Sequence, residues 1–509
     1  MVDPAATQAL QDLKAHLAAI VDIRSSMAVL RWDQETQMPP GGGPTRALQL
    51  STLSRIAHEG FVAAKTQELL TAAEPLLEHL DPGSDEAALL RMTRRDLDRA
   101  RKLPGEFVAE RTRAASESTE IWRKARPAND FLLFRPHLER MVEFARRTAE
   151  YLGYAEHPYD ALLDVYEPES TARDVAALFD RLRDATLPLV VAIADRGGAA
   201  NSGILDQEYP RAEQREFALS IITAFGYDTE RGRLDTSSHP FSTGISRDDV
   251  RITTRYPPRS LGAIFGTFHE AGHAVYSQGT APALDRTPLA DGASNGIHES
   301  QSRLWENLVG RSRPFWEYAF PKMQRVFPKQ LAGVDADTFY RAVNQVRRSL
   351  IRVEADEVTY NLHIMLRFEL EQALVAGGLK VRDLPDAWGA KMRAYLGISP
   401  PTDADGVMQD IHWSGMGFGY FPSYTIGNVA SVQLLDAARG AHPDLSDQIR
   451  RGEFRPLLAW LRDHVHAHGR KFFPKDLLLR ATGSALTPEP YIRYLWQKFG
   501  EIYGLNPRP

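Results

Sequence analysis

The sequence contains no cysteine. That absence removes disulfide scaffolds, thiol catalysis and thiolate metal sites together, so any bound zinc must rest on histidine and carboxylate ligands. It also fits a reducing compartment. A basic excess is missing too: 61 Lys and Arg stand against 66 Asp and Glu, a formal charge of -5 at pH 7. Nucleic-acid binders normally carry a basic excess or face, so that class is set aside. Long apolar runs are lacking. The most apolar internal run, around Leu187 to Ala194, is far too short to span a bilayer. The opening stretch MVDPAATQALQDLKAHL has no basic segment followed by an apolar one, the pattern of a secretory signal. Repeats and low-complexity segments are absent as well. These absences predict a soluble, cytoplasmic protein with neither a membrane nor a nucleic-acid partner.

What is present is an ordinary globular composition, 43% hydrophobic and 25% charged over 509 residues, with ample chain for a large core. Helical periodicity dominates. Leu10, Leu13, Leu17 and Ile20 recur at helical spacing, as do apolar positions in 130–152, 171–195 and 357–375. In the last of these, Val358, Leu362, Met365 and Leu366 form one stripe. The run Pro39-Pro40-Gly41-Gly42-Gly43-Pro44 predicts a loop, and Arg196 to Gly203 a flexible connection. Neither is long or biased enough for an interdomain linker. One segment breaks the pattern. Residues 249–256 (DVRITTRY) alternate Val250, Ile252 and Thr254 against Arg251, Thr253 and Arg255, the period of a strand. Its place shortly before a metal helix suits an edge that hydrogen-bonds an extended peptide. A small structural hairpin is the alternative.

That metal helix rests on five residues, His269-Glu270-Ala271-Gly272-His273, an H-E-x-x-H inside the apolar stretch Ile264 to Val275. On a helix, positions i and i+4 lie about 40° apart, so both imidazoles leave one face a turn apart. Two neutral nitrogens so placed can grip one Zn²⁺, and Glu270 can take a proton from water bound there. A catalytic zinc needs a third protein ligand and one open position. No third histidine follows at the spacing of the longer metalloprotease motif, which moves that ligand to a carboxylate on another helix. Ser294 to Ser312 predicts such a helix, with Ser294 or Asn295 at its cap. Glu299 in its first turn is the favoured ligand. Glu306, two turns later on the same face, is the alternative. His298 points elsewhere and reads as a hydrogen-bonding neighbour of the site rather than a ligand.

Several motifs recur in a fixed order: HPF at 239–241, DxRxT at 249–253, HEAGH at 269–273, HESQ at 298–301, IRxxAD at 351–356 and GVMQDIHW at 406–413. Jointly they resemble the thermostable carboxypeptidase Taq family of metallocarboxypeptidases, peptidase family M32, over essentially the whole chain and without departure. The resemblance implies one catalytic domain over 1–509: mainly helical, two-lobed around a deep central groove, lidded by N-terminal helices, with a small β-element beside the zinc helix. It also implies a homodimer, zinc or cobalt as the metal, and stepwise release of C-terminal residues with broad specificity, poor toward proline. It supports His269, His273 and Glu299 as ligands and Glu270 as the general base.

The remaining motifs can be read physically. A carboxypeptidase must recognise a free α-carboxylate, and arginine offers the matching planar fork. Arg352 is the first candidate, against a structural salt bridge with Asp356 one turn on. Arg251 and His298 are further candidate substrate contacts. His412, two residues from Asp410, reads either as a contact to the substrate terminus or oxyanion, or as a buried core histidine. Tyr424, ahead of Tyr420, is the candidate hydroxyl donor to the oxyanion; a packing aromatic is its alternative. Trp32 and Trp413 read as core or groove-wall aromatics. Two other functions compete: an oligopeptidase cutting internal bonds, and a helical scaffold whose metal is purely structural. The scaffold calls for a fourth protein ligand or loss of Glu270, and the sequence offers neither.

Overall fold

The computed structural model describes residues 3–197, 202–257 and 259–506. Of the connection expected at 196–203, residues 198–201 lie outside the described residues. The architecture is mainly helical with one small sheet, as the sequence predicts.

The first helix, Pro4–Thr36, is capped by Asp3, whose side chain accepts from the Ala5 N–H. It buries Leu10, Leu13, Leu17 and Ile20, the predicted stripe. The loop after it is shorter than predicted. Pro40–Gly42 make one 3₁₀ turn, and Gly43–Val62 is already the next helix. Proline near a helix start forfeits only an N–H that has no helical partner there, so Pro44 is accommodated. Together with Ala64–Ala73 and Asp85–Lys102, these N-terminal helices build a core of their own, to which Leu284 and Leu289 are added from later in the chain. The rest of the chain packs around a second, larger core.

Predicted helices at 130–152 and 171–195 occur as Phe131–Leu152 and Ala172–Arg196, capped by Asp130 and Thr171. The third stripe starts late, at Tyr360–Ala376. Asp356 Oδ1 accepts from the backbone N–H groups of Val358 and Thr359, a local alternative that delays the helix.

The sheet has three strands, β1 (Gly232–Thr236), β2 (Ser242–Ser246) and β3 (Asp249–Thr254), in the order β1-β3-β2. β3 runs parallel to β1 and antiparallel to β2. The segment expected to offer a peptide-binding edge is therefore the central strand, with both ladders occupied. The free edges belong to β1 and β2. Val250, Ile252 and Thr254 are buried as expected, but so is Thr253, read from the sequence as lying on the other face, because this central strand is enclosed on both sides there. The sheet packs on the helix Gly262–Gln278, which carries the histidine motif. Ser25 Oγ, on the first helix, donates to the Ile245 carbonyl at 2.7 Å and ties the N-terminal helices to β2. Among the described residues, no helix is long and apolar enough to cross a membrane.

Candidate active site and metal centre

Three helices meet at the motif: Gly262–Gln278, Asn295–Arg303 and Pro422–Ala441. Two glycines let them approach. A Cβ on Gly272 would stand 2.6 Å from the Gln301 carbonyl oxygen, and one on Gly427 2.6 Å from the Glu299 Cβ. Ser294 caps the second helix, its Oγ accepting from the Ile297 N–H at 3.0 Å. The helix expected to run to 312 changes character at 304, where Leu304–Val309 form a π-helical segment. Such wider turns often sit beside functional sites.

His269, His273 and Glu299 come together: their ligand atoms all lie within 4.8 Å of one another. The Glu299 Oε2 is 3.7 Å from His269 Nε2 and 3.4 Å from His273 Nε2. A tetrahedral ion with bonds of about 2.0–2.1 Å spaces its ligand atoms about 3.3–3.4 Å apart, so this donor set fits one divalent metal after a small contraction. The outer nitrogens explain why both Nε2 atoms face inward. His269 Nδ1 is 2.9 Å from Glu306 Oε2, and His273 Nδ1 is 2.8 Å from His298 Nδ1. Arg303 donates to the other oxygen of Glu299 at 2.8 Å and to Glu306 at 3.3 Å. Arg311 reaches the second Glu306 oxygen at 3.0 Å. Glu306 thus stands behind His269, outside the ligand triangle. Burial alone would raise the Glu299 carboxyl, but His269 and Arg303 hold it well below the usual carboxylate range. Burial pushes the His298 imidazole down to about 3, so the ring is neutral.

Glu270 is 7% exposed and has no hydrogen bond or ion pair among the described residues. Burial pushes its carboxyl above the ordinary value, partly offset by His269 and His273. A buried, unpartnered carboxyl against two histidines has the character of a base.

A second polar cluster lies around Arg352. Its expected neighbour Asp356 is engaged elsewhere, accepting from the Arg347 N–H and the Thr359 hydroxyl. Residues Arg352–Glu354 form a 3₁₀ turn, so the one-turn spacing read from the sequence does not apply. Arg352 instead grips Asp410 Oδ1 through Nε at 3.0 Å and Nη2 at 2.8 Å, and Nη1 donates to the Tyr360 hydroxyl at 2.8 Å. Arg367 takes the other Asp410 oxygen at 2.8 and 2.6 Å. Two buried guanidiniums therefore share one carboxylate, leaving an uncompensated positive charge. Tyr360 also lies under the Arg303 guanidinium, at 4.4 Å from the ring centre, which links this cluster to Glu299.

His412 Nε2 is 3.3 Å from the Tyr424 hydroxyl. Burial pushes the His412 imidazole down to about 4. Burial and the neighbouring Tyr420 push the Tyr424 hydroxyl far up, so it keeps its proton and can donate. The Arg352 guanidinium lies 4.9 Å from the Tyr424 ring centre. Arg251 is elsewhere: its Nε and Nη2 each donate to an Asp249 oxygen at 2.8 Å, and it stacks on Trp32 at 4.4 Å. Among the described residues it makes no hydrogen bond or ion pair to the triad or to the Arg352 cluster. Trp413 is buried and donates to Glu371 at 2.6 Å. Sequence reasoning missed Arg367 and the shared role of Asp410. The only hint was Asp410 beside His412 in one motif.

A family model described as Carboxypeptidase Taq (M32) metallopeptidase matches residues 12–499. The chain belongs to this family. Thermostable carboxypeptidase 1 of Thermus thermophilus is 44% identical over 517 residues, covering 99% of this chain and 100% of the relative. Carboxypeptidase 1 of Bacillus subtilis is 39% identical, covering 96% of this chain and 97% of the relative. The crystal structure of the M32 carboxypeptidase from Deinococcus radiodurans R1 has a TM-score of 0.95 at 43% identity, over 98% of this chain and 100% of that one. The structure of Pyrococcus furiosus carboxypeptidase, Apo-Mg, has a TM-score of 0.93 at 38% identity, over 96% and 99%. This M32 chain is thus a metal-dependent carboxypeptidase, a peptide hydrolase acting on C-terminal residues. Neither an oligopeptidase nor a metal-stabilised scaffold is favoured.

Proposed function

We propose that His269, His273 and Glu299 hold zinc, that Glu270 is the general base, and that Arg352 with His412 reads the free terminal carboxylate of the peptide. The observation that carries this reading is the excess positive charge buried at Arg352. A guanidinium has five N–H donors. Asp410 and Tyr360 occupy three on Arg352, leaving one on each terminal nitrogen. That pair forms a fork for a second carboxylate, and the cluster's unbalanced charge favours one.

When bound, the metal supplies Lewis acidity, acidifying water and polarising the scissile carbonyl. Glu270 takes up the proton at its carboxylate and returns it to the leaving amine; its raised affinity for protons suits both steps. Tyr424 stays protonated and donates to the developing oxyanion. Neutral His412, beside it, adds a hydrogen bond at the carboxylate end. His298 fixes the His273 ring, which favours a positioning role over substrate contact. Arg251, locked to Asp249, serves the sheet. The whole chain acts as one catalytic domain, with the N-terminal helices closing over the groove. Zinc, with cobalt as the alternative ion, and a homodimeric cytoplasmic enzyme complete the family expectation.

Matched peptides with free and amidated C-termini test the reading. The free peptide loses residues one at a time, and the amide resists. Equal cleavage of both overturns it.

A further inference from the structure

Between the N-terminal helices and the body of the protein lies a cavity of about 430 Å³. Its wall includes Ser294, Asn295 and His298, and His298 is the hydrogen-bond partner of His273. The cavity therefore adjoins the metal site. Arg352, His412 and Tyr424 do not line it. A carboxypeptidase has only one substrate residue beyond the scissile bond, and that residue lies at the Arg352 end. Space beside the metal away from that end is open to residues upstream of the bond. The first helix, which forms one wall, is also bound to β2 through Ser25, and β2 has a free edge suited to an extended chain.

This upstream space has a small excess of positive charge, four arginines against Asp96, Asp164 and Asp291. Arg24, Arg95, Arg99 and Arg470 all line it. Three are paired within the protein: Arg95 and Arg99 share Asp164, and Arg470 grips both oxygens of Asp96. Arg24 is not. It forms no ion pair or hydrogen bond among the described residues, and its guanidinium rests over the Phe61 ring at 5.4 Å. Arg31, two turns further along the same helix face, lines an adjoining cavity of about 380 Å³ that Arg24 and His58 also border. It too has no ion pair among the described residues. Two arginines without an ion pair among the described residues thus project from one helix into these adjoining cavities.

We propose that this space is a subsite for acidic side chains upstream of the scissile bond, with Arg24 and Arg31 as its specificity-determining contacts. The proposal rests on the carboxypeptidase reading above and adds a substrate preference to it. Both arginines are solvent-accessible, so each contact is modest and sensitive to salt.

The test uses peptides of one length with the same free C-terminal residue, carrying Glu, Gln or Lys at the three preceding positions. A fourth peptide carries Glu only as the terminal residue. For the wild-type enzyme, kcat/KM on the upstream-Glu peptide exceeds that on the Gln peptide by roughly fivefold to tenfold at low salt, chiefly through KM. Lys falls below Gln, and the spread shrinks in about 0.5 M NaCl. In the Arg24→Gln/Arg31→Gln double variant the Glu-to-Gln ratio drops toward one, while Arg24→Lys/Arg31→Lys retains most of it. Equal wild-type rates on all three upstream peptides overturn the subsite. A preference that survives the double glutamine variant, or appears only for terminal Glu, overturns it equally. Should the double variant misfold, the wild-type ratios and their salt dependence still decide. Cleavage of the Gln peptide with no upstream preference refutes only the subsite. Failure to cleave any free-ended peptide refutes the carboxypeptidase reading itself.

Discussion

Adding one methyl group at Gly427 tests how the third metal ligand is placed. An ideal Cβ there would lie 2.6 Å from the Glu299 Cβ, 2.8 Å from its Cγ and 3.0 Å from its backbone carbon. Carbon atoms rest about 3.5–4.0 Å apart, so Glu299 and the helix Pro422–Ala441 must separate by about 1 Å. The helix bearing Glu299 has nowhere to retreat. On its other side Gly272 already brings the motif helix to the limit of contact, since a Cβ there would meet the Gln301 carbonyl at 2.6 Å. The strain therefore falls on the Glu299 side chain. Overpacking of this kind costs about 1–3 kcal/mol. Alanine in place of a helical glycine returns about 0.5–1 kcal/mol. A carboxylate displaced by about 1 Å cannot keep its bond length, and metal affinity should fall at least as far as when a supporting residue is lost, about 10–100-fold. Competition against a chromophoric chelator measures the affinity, and thermal unfolding with and without metal measures the strain. Gly440→Ala on the same helix is the control, because nothing lies within 4 Å of its Cβ. It should stabilise slightly and leave metal binding unchanged. If Gly427→Ala binds metal as tightly as the control and unfolds no earlier, this account of the ligand's placement is wrong.

Three further outcomes follow from the site. Glu306→Gln keeps the shape behind His269 but not the charge, so metal affinity should drop about 10–100-fold with the fold intact, read by chelator competition and circular dichroism; an unchanged affinity contradicts the orienting role. Arg352→Lys keeps a charge but loses the fork, and kcat/KM on free-ended peptides should fall by about 100-fold, mainly in KM; a rate near wild type excludes Arg352 from carboxylate recognition. Glu167, buried against the Gly296 N–H and the Ser423 hydroxyl, is pushed up by burial from 4.5 to about 7. The unfolded carboxyl releases its proton above pH 4.5 while the folded one holds it to about 7, so this group lowers stability as pH rises through that window. The loss is of order 3 kcal/mol, and urea unfolding at several pH values should show a flatter profile for Glu167→Gln; an identical profile refutes it.

Local features were legible in the chain. The HEAGH spacing and the Ser294 cap are properties of single helices, and period and capping chemistry predict such features. The strand at 249–254 was legible for the same reason, but its central position was not. An alternating strand looks alike at the edge or the middle, and its partners β1 and β2 carry little alternation of their own. The partner of Arg352 was hidden more deeply. Spacing pointed to Asp356, which is bound up in capping its own turn. The true partner, Asp410, is 58 residues away and is reached only through tertiary packing. Glu306 was visible as a nearby carboxylate. Its place behind His269 depends on a π-helical segment that periodicity did not announce.

The separate core of the N-terminal helices has a thermodynamic consequence. Leu13, Leu17, Leu70, Leu90 and Leu97 pack among themselves, while the metal ligands hang from the larger core. Bodies with separate cores open with separate free energies. Calorimetry should then record an early transition that releases Arg24 and Arg31 and a later one that dismantles the histidine pair. Only the later one should move when metal is added, because a ligand stabilises only the unit that binds it. A single melting temperature would describe neither unit, and between the two transitions the chain would still carry its metal with one wall of the neighbouring cavity gone.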